Sequence, residues 1–367
     1  MKNILKYCGV LIVCIVFCFS SCNKHDTGMV EGEPFQRPEI ENNGGVLMNE
    51  IAKILPKNNN YEAWPAVTET PSGAYLLGYT SNKSHIPVLS SDRKTIIQRS
   101  TDRGNTWTQV AILGGPTGED WGITIMGVAA DGAIVLGVQQ VVDKTHGSAA
   151  NHIFFRSTDD GITWTEMVRY PWTNISNIQK VTLLQNGDLL ATWHGDGWGM
   201  IRSSDNGMTW TQYATTNGGQ WLKEGHMVQI GDGTILNFGR AGNIVMGIST
   251  DNGYTYTRAA DIGLAKGTDN NSMATAVLLH EHKLLLLWIE REVGKMFAAT
   301  ADPYDLKNNP KAWSPIVEVM DVIGGLGDKG YPFMISVPYN GRLFTAWYED
   351  KSNDHTPSIY TGWLSLD

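Results

Sequence analysis

Cysteine is missing from most of this chain. Four cysteines occur in 367 residues, Cys8, Cys14, Cys18 and Cys22, and none follows. The long C-terminal part therefore has no disulfide and no thiol nucleophile. It must hold together by burial, for which about 340 residues are ample. Positive charge is also scarce. The 28 Lys and Arg stand against 37 Asp and Glu, a formal net charge of −9, whereas binding nucleic acid needs a basic footprint. After residue 22 no apolar run approaches the roughly 20 residues of a spanning helix. There is no Gly-rich phosphate loop at a strand–helix junction and no nucleophile elbow. His194-Gly-Asp196 and His280-Glu281-His282 come nearest to a metal site, yet neither has a full ligand set at metal-site spacing. No metal and no cofactor are expected.

An export signal is present. Lys2 and Lys6 precede an apolar run over residues 7–19, followed by Ser20-Ser21-Cys22. A basic start, a short apolar core and small residues at its end describe a secretory signal. Small residues directly before a cysteine resemble a bacterial lipobox, with Phe19 where an aliphatic residue is usual. The resemblance implies cleavage before Cys22 and lipidation of its sulfur. It also implies an exported lipoprotein at the outer membrane of a Gram-negative-type envelope, touching the membrane only through its lipid. Residues 23–45 are polar and rich in Gly, Glu and Asn, and read as a tether. Residues 46–367 are left as the folded domain, expected to be monomeric.

Two repeats organise that domain. The first is Ser-x-Asp-x-Gly-x-Thr-aromatic, an Asp box. It occurs at Ser100 to Trp107, Ser157 to Trp164, Ser203 to Trp210 and Ser249 to Tyr256. The chemistry suits a tight turn: the carboxylate accepts backbone N–H groups, Gly supplies positive φ, and the aromatic re-enters the apolar layer. The boxes are read as structural. The second repeat is an apolar strand, a short turn and another apolar strand. It covers residues 64–79 turning at Gly73, 123–138 at Gly132, 178–193 at Gly187, 224–239 at Gly233, 273–288 at His280-Glu281-His282, and 332–347 at Gly341. Alternation and turn chemistry make each a β-hairpin. The copies begin 46 to 59 residues apart, which is blade spacing.

The repeats interleave, hairpin first and Asp box second. The hairpin gives strands A and B of a blade, and the box turns strand C into D. The predicted fold is all-β, a six-bladed β-propeller of four-stranded antiparallel blades. Blade five keeps a worn box near Thr300-Ala-Asp302-Pro303. Blade six lacks one strand, which residues 46–54 can supply, closing the ring and removing exposed edges. A–B turns and Asp boxes then share one end. D–A and B–C loops share the other, around the central pit, where function is expected.

Candidates at that end are Trp64, Asp92, Asp120, His194, Asp196, Trp198, Glu224, His226, Arg240, Arg291, Tyr331 and Glu349, with Tyr61, Glu62, Asn82, Lys83, His85, Glu119, Trp121, His146, Trp221, Asn270, Asn271, Glu290, Tyr348, Asp350 and His355. Carboxylates, histidines and aromatics together suit sugars. In the stretch from His194 to Trp198, Trp198 reads as a platform and His194 and Asp196 as hydrogen-bonding groups.

The stretch from Glu224 to Arg240 and the stretch from Gly330-Tyr331-Pro to Glu349 resemble the sialidase superfamily, and the resemblance covers nearly all of residues 60–365. It implies Tyr331 as nucleophile, Glu224 as the base that takes its proton, Asp92 as acid, Arg240 as a carboxylate-binding arginine and Glu349 as a supporting acid. Arg291 or Lys295 can serve in place of the third arginine. The sequence departs from the family at Ala63, two residues before Pro65, where the family has an arginine. That departure argues against sialic acid and leaves other sugars, such as arabinan-type ones, for which Glu224 could pair with another carboxylate. Two readings follow: an exo-acting glycoside hydrolase acting on a glycan or oligosaccharide, or a non-catalytic glycan-binding propeller.

Overall fold

The computed structural model describes residues 46–53, 59–85, 92–116, 118–141, 151–214, 222–241, 243–259, 262–264, 275–280, 283–322, 329–335, 339–351 and 354–366. The expected signal, Cys22 and tether lie outside these residues, as do His146, Trp221, Asn270, Asn271, Glu281 and His282.

Six antiparallel sheets form the blades, and each keeps the order A-B-C-D from axis to rim. Blade one is typical: strand A Tyr61–Glu69, B Tyr75–Asn82, C Lys94–Ser100 and D Thr108–Leu113. Its A–B turn is set by Gly73 at φ 82°, with the Gly73 N–H donating to Thr70. Strands B and C are nearly all buried, whereas D alternates between exposed and half-buried residues. Inner strands are sandwiched between neighbouring blades, and the outer strand meets water on one face.

The Asp boxes build as their chemistry predicts. In the second, Ser157 Oγ donates to Asp159 and accepts the Gly161 N–H at 2.8 Å. Asp159 also accepts the Thr163 N–H at 2.9 Å and the Thr163 hydroxyl at 2.6 Å. The glycine has a second duty. A Cβ on Gly161 would lie 2.4 Å from Leu76, on Gly207 2.5 Å from Val135, on Gly253 2.5 Å from Leu190, and on Gly104 2.5 Å from Phe344. Each partner stands on strand B of the preceding blade, so each box is also a seam between blades. The Gly104 contact carries the seam from blade one back to blade six. In blade five the worn box becomes a helical turn, Pro303–Asn308, with Asp302 as its N-cap and Pro303 in the first turn, a position that suits a residue lacking an N–H.

The ring closes through the N-terminal strand. Val46–Lys53 is the outermost strand of blade six and pairs with Ser358–Leu366, Val46 opposite Leu366 and Lys53 opposite Tyr360. Blade three departs from the regular plan, because its strand A is broken into Ile175–Ile178 and Thr182–Leu183, both paired with strand B.

One local device prepares the site. Strand A shifts register against strand B in every blade. In blades one, four and six the shift lies between Ala63 and Ala66, Lys223 and His226, and Gly330 and Phe333, and holds a non-glycine residue at positive φ. The first extra residue is Trp64, Glu224 and Tyr331, at φ 54°, 55° and 52°. Non-glycine residues held there are strained, and bulges re-aim side chains. Thus three blades use one backbone distortion to present a large side chain at corresponding places.

Candidate functional site

Glu224 is the centre of the site. It lies on strand A of blade four (Lys223–Gln229), is 4% exposed, and meets a residue 107 positions away. The Tyr331 hydroxyl, from strand A of blade six (Gly330–Met334), donates to Glu224 Oε1. Arg240, from strand B of blade four (Ile235–Ala241), grips the same carboxylate twice, Nε to Oε2 at 2.6 Å and Nη2 to Oε1 at 3.0 Å. His194, at the end of strand B of blade three (Leu189–Gly195), accepts the Glu224 backbone N–H on Nδ1 at 3.3 Å. The strained backbone of Glu224 is thereby held from a neighbouring blade.

The electrostatics follow from this packing. Burial acts to raise the Glu224 carboxyl, but the Arg240 charge, helped by the Tyr331 hydrogen bond, outweighs it and holds the group below its ordinary 4.5. Burial, then the Glu224 charge, push the Tyr331 phenol well above 10.0. The shared proton therefore rests on Tyr331. Burial brings His194 down to about 4, so its ring is neutral near pH 7 and its Nδ1 is free to accept the Glu224 N–H.

The surrounding wall is aromatic and cationic. Tyr348 stands 6.0 Å from Tyr331 and 6.4 Å from Trp64, ring centre to ring centre. Arg291 donates to the Tyr348 hydroxyl at 3.1 Å and to the Lys329 carbonyl at 2.6 Å. Glu349 is buried, accepts from Trp347 Nε1 at 2.9 Å and lies 3.4 Å from the Lys351 ammonium. His226 is buried against Phe333 with ring centres 5.4 Å apart. Ala63 is fully buried where the expected arginine would start, and Trp64 beside it packs on Tyr61 and His85.

Other candidates are placed differently. Trp198 is not a platform: it opens strand C of blade three (Trp198–Ser203), is 2% exposed, and packs edge-on against Tyr256. The turn before it is so short that the strand, and with it the indole, starts at once inside the sheet stack. Asp196 is exposed on that turn, its N–H bonded to Asn174. Asp92 is exposed on the B–C loop of blade one. Asp120 is fully buried, and its charge acts on Arg93.

Arg93 had no place in the sequence reading. Its guanidinium lies 5.2 Å from the centre of the Trp64 ring, and burial lowers its pKa to about 10, opposed by Asp120 and Tyr61. A Cβ on Gly122 would come within 2.6 Å of its Nε. A glycine inside an apolar strand marks such close approaches, and Gly122 was the available signal. Lys329 was also missed, because only the folded blade brings its carbonyl to Arg291. Among the described residues no three His, Cys, Asp or Glu side chains gather to hold a metal.

A family described as BNR repeat-like domain matches residues 89–335. No curated protein sequence matches the chain. Among solved structures, a protein of unknown function from Dyadobacter fermentans superposes with TM-score 0.72 at 17% identity, over 88% of this chain and 100% of its own. The intramolecular trans-sialidase of Ruminococcus gnavus gives 0.67 at 13% identity, covering 85% and 96%. A sialidase from Streptococcus pneumoniae gives 0.64 at 12%, covering 86% and 70%. With four Asp boxes, six blades and this match, the chain belongs to the BNR repeat-like family and shares the propeller fold of the sialidases on which it superposes.

Proposed function

We propose that the chain is an exo-acting glycoside hydrolase that removes a terminal sugar from a glycan by way of a Tyr331 glycosyl intermediate. The observation that carries the reading is the Tyr331–Glu224 hydrogen bond between two strained bulge residues of different blades. A phenol is a poor nucleophile until a base adjoins it. Tyr331 attacks the anomeric carbon and passes its proton to Glu224, while a rim acid protonates the leaving oxygen. Asp92 is our assignment for that acid. Water then cleaves the glycosyl–Tyr331 bond, and the phenol regains its proton.

Arg240 restrains this chemistry at rest. Its two contacts stabilise the Glu224 anion and weaken it as a base. A substrate whose polar groups draw Arg240 away raises the basicity of Glu224 when the sugar is in place. We assign sugar contacts to Arg291 and Asp196 around the pit, and the supporting role at Glu224 to His194. Asp120, His226 and Glu349, expected from the sequence to touch the sugar, are buried. Ala63 offers no guanidinium to a carboxylate where the resemblance places an arginine, and that loss favours a neutral sugar over sialic acid. We further propose that Cys22 is lipidated and that the protein is held at the outer membrane.

The second reading, a glycan-binding propeller without catalysis, is favoured by Ala63 and by the engagement of Arg240 with Glu224. A panel of neutral and sialylated oligosaccharides separates the two. The hydrolase reading expects a terminal monosaccharide to be released from at least one member. Glu224→Gln should cut that release by about 10²–10⁴-fold while binding survives. Binding to a panel member with no release by the unmutated protein would establish the second reading.

A further inference from the structure

The path of the chain gives the propeller a direction relative to the lipid. Strand Val46–Lys53 runs from the Asp-box end to the pit end: Val46 pairs with Leu366, at the far end of a strand whose first residue, Ser358, pairs with Glu349 beside the pit. The 23 residues between Cys22 and Val46 (residues 23–45) thus join the domain at the Asp-box end. The pit lies a strand length further on, about 25 Å for eight residues.

The same end carries the apolar surface. Among the described residues seven large hydrophobic side chains are exposed. Five of them lie at that end: Ile162, Met208 and Tyr254 on Asp boxes, Ile316 on a C–D connection, and Leu183 at the close of the broken strand A of blade three. Three form an arc over consecutive blades, Ile162 at 51%, Met208 at 44% and Tyr254 at 54%. They occupy one position of the Asp box, between the Gly and the Thr, whose side chain the box does not use. The neighbouring aspartates remain at the surface, each accepting the N–H of the box threonine, Thr163, Thr209 or Thr255. Arg202 covers one face of Tyr254 at 4.4 Å; an aromatic and a cation together are suited to a headgroup boundary.

We infer that the arc of Ile162, Met208 and Tyr254 rests against the bilayer that carries the chain, so that the pit opens away from that membrane. The inference rests on the lipidation of Cys22 and is independent of whether the pit is catalytic. It implies that the glycan arrives from outside the anchoring membrane rather than from its own lipid headgroups. The net charge of −9 favours zwitterionic over anionic headgroups.

Depth-dependent quenching tests it. The full lipidated protein is reconstituted in phosphatidylcholine vesicles containing nitroxide headgroup lipid. A fluorophore is placed by Met208→Cys, or by Val293→Cys on the pit-end B–C turn of blade five, where the native valine is also exposed at 56%. No other free thiol competes, since the remaining cysteines are residues 8, 14 and 18 of the signal and the lipidated Cys22. Several-fold stronger quenching at position 208 than at 293 is expected. Equal quenching, or stronger quenching at 293, overturns the orientation. Flotation is read first: protein that leaves the vesicles with an unmodified Cys22 overturns the lipidation reading and the orientation with it.

Discussion

Glu224 is caught between two partners, and its protonation decides what the site can do. Arg240 holds the carboxyl below 4.5 and Tyr331 keeps the shared proton. On the hydrolase reading, the acid limb of kcat/KM, which reports the base of the free protein, is therefore expected below pH 4.5. Replacing Arg240 with Met removes the charge that depresses Glu224, so the limb should move to higher pH. A pH–rate profile of that variant checks the sign, and an unmoved limb would detach Arg240 from the base. At this scale the sequence was legible where a motif carried the residue. Glu224, Tyr331 and Arg240 lie in stretches that resemble known blades, and they meet. Arg93 was not legible, because what gives it meaning is the Trp64 ring and the Asp120 charge, both many residues away. Trp198 was misread, because a loop-like string of His, Gly and Asp conceals how early the next strand begins.

The Asp box is the element that explains most of the fold, and its glycine does two things at once. It supplies positive φ, and it lets the neighbouring blade's strand B approach. Gly233 separates the two effects, since it has φ 84° on an A–B turn and nothing within 4 Å of an added Cβ. Gly233→Ala should cost only the left-handed strain, about 1–2 kcal/mol. Gly161→Ala should cost that plus the displacement of Leu76, an overpacking penalty of about 1–3 kcal/mol more. Urea midpoints of the two variants decide, and equal losses would remove the seam from the account. The turn chemistry was readable from the sequence. The seam was not, because its other half, such as Leu76 or Val135, is an ordinary apolar strand residue in the preceding repeat. The helical turn of blade five shows the same limit: Asp302-Pro303 reads as a worn box and also as a helix cap, and only the fold chooses.

Over the whole molecule, six blades and the closing strand followed from spacing alone, because a propeller repeats one solution and must end by joining its termini. Stability without a disulfide then depends on buried groups staying neutral. His152 and His194, in blades two and three, are each lowered by burial from 6.5 to about 4. His226, in blade four, is lowered further by burial and by Lys180. The unfolded chain takes up protons at these sites as pH falls through 6.5, whereas folded His152 and His194 do not until about 4. Stability is thus complete above 6.5 and lost as pH falls from there towards 4. Denaturant midpoints should decline over that window, and His152→Gln should flatten the decline. A midpoint unchanged between the two limits would mean that these histidines titrate normally in the folded protein.

The account turns on Tyr331 as a nucleophile. Once the panel has identified a cleavable sugar, its activated fluoro-sugar analogue should accumulate on the enzyme, and peptide mapping should place the added sugar mass on the Tyr331 peptide. The Tyr331→Phe variant should carry no adduct. Turnover of the natural substrate with no adduct on Tyr331, or with one on a carboxylate such as Glu224, would contradict the mechanism.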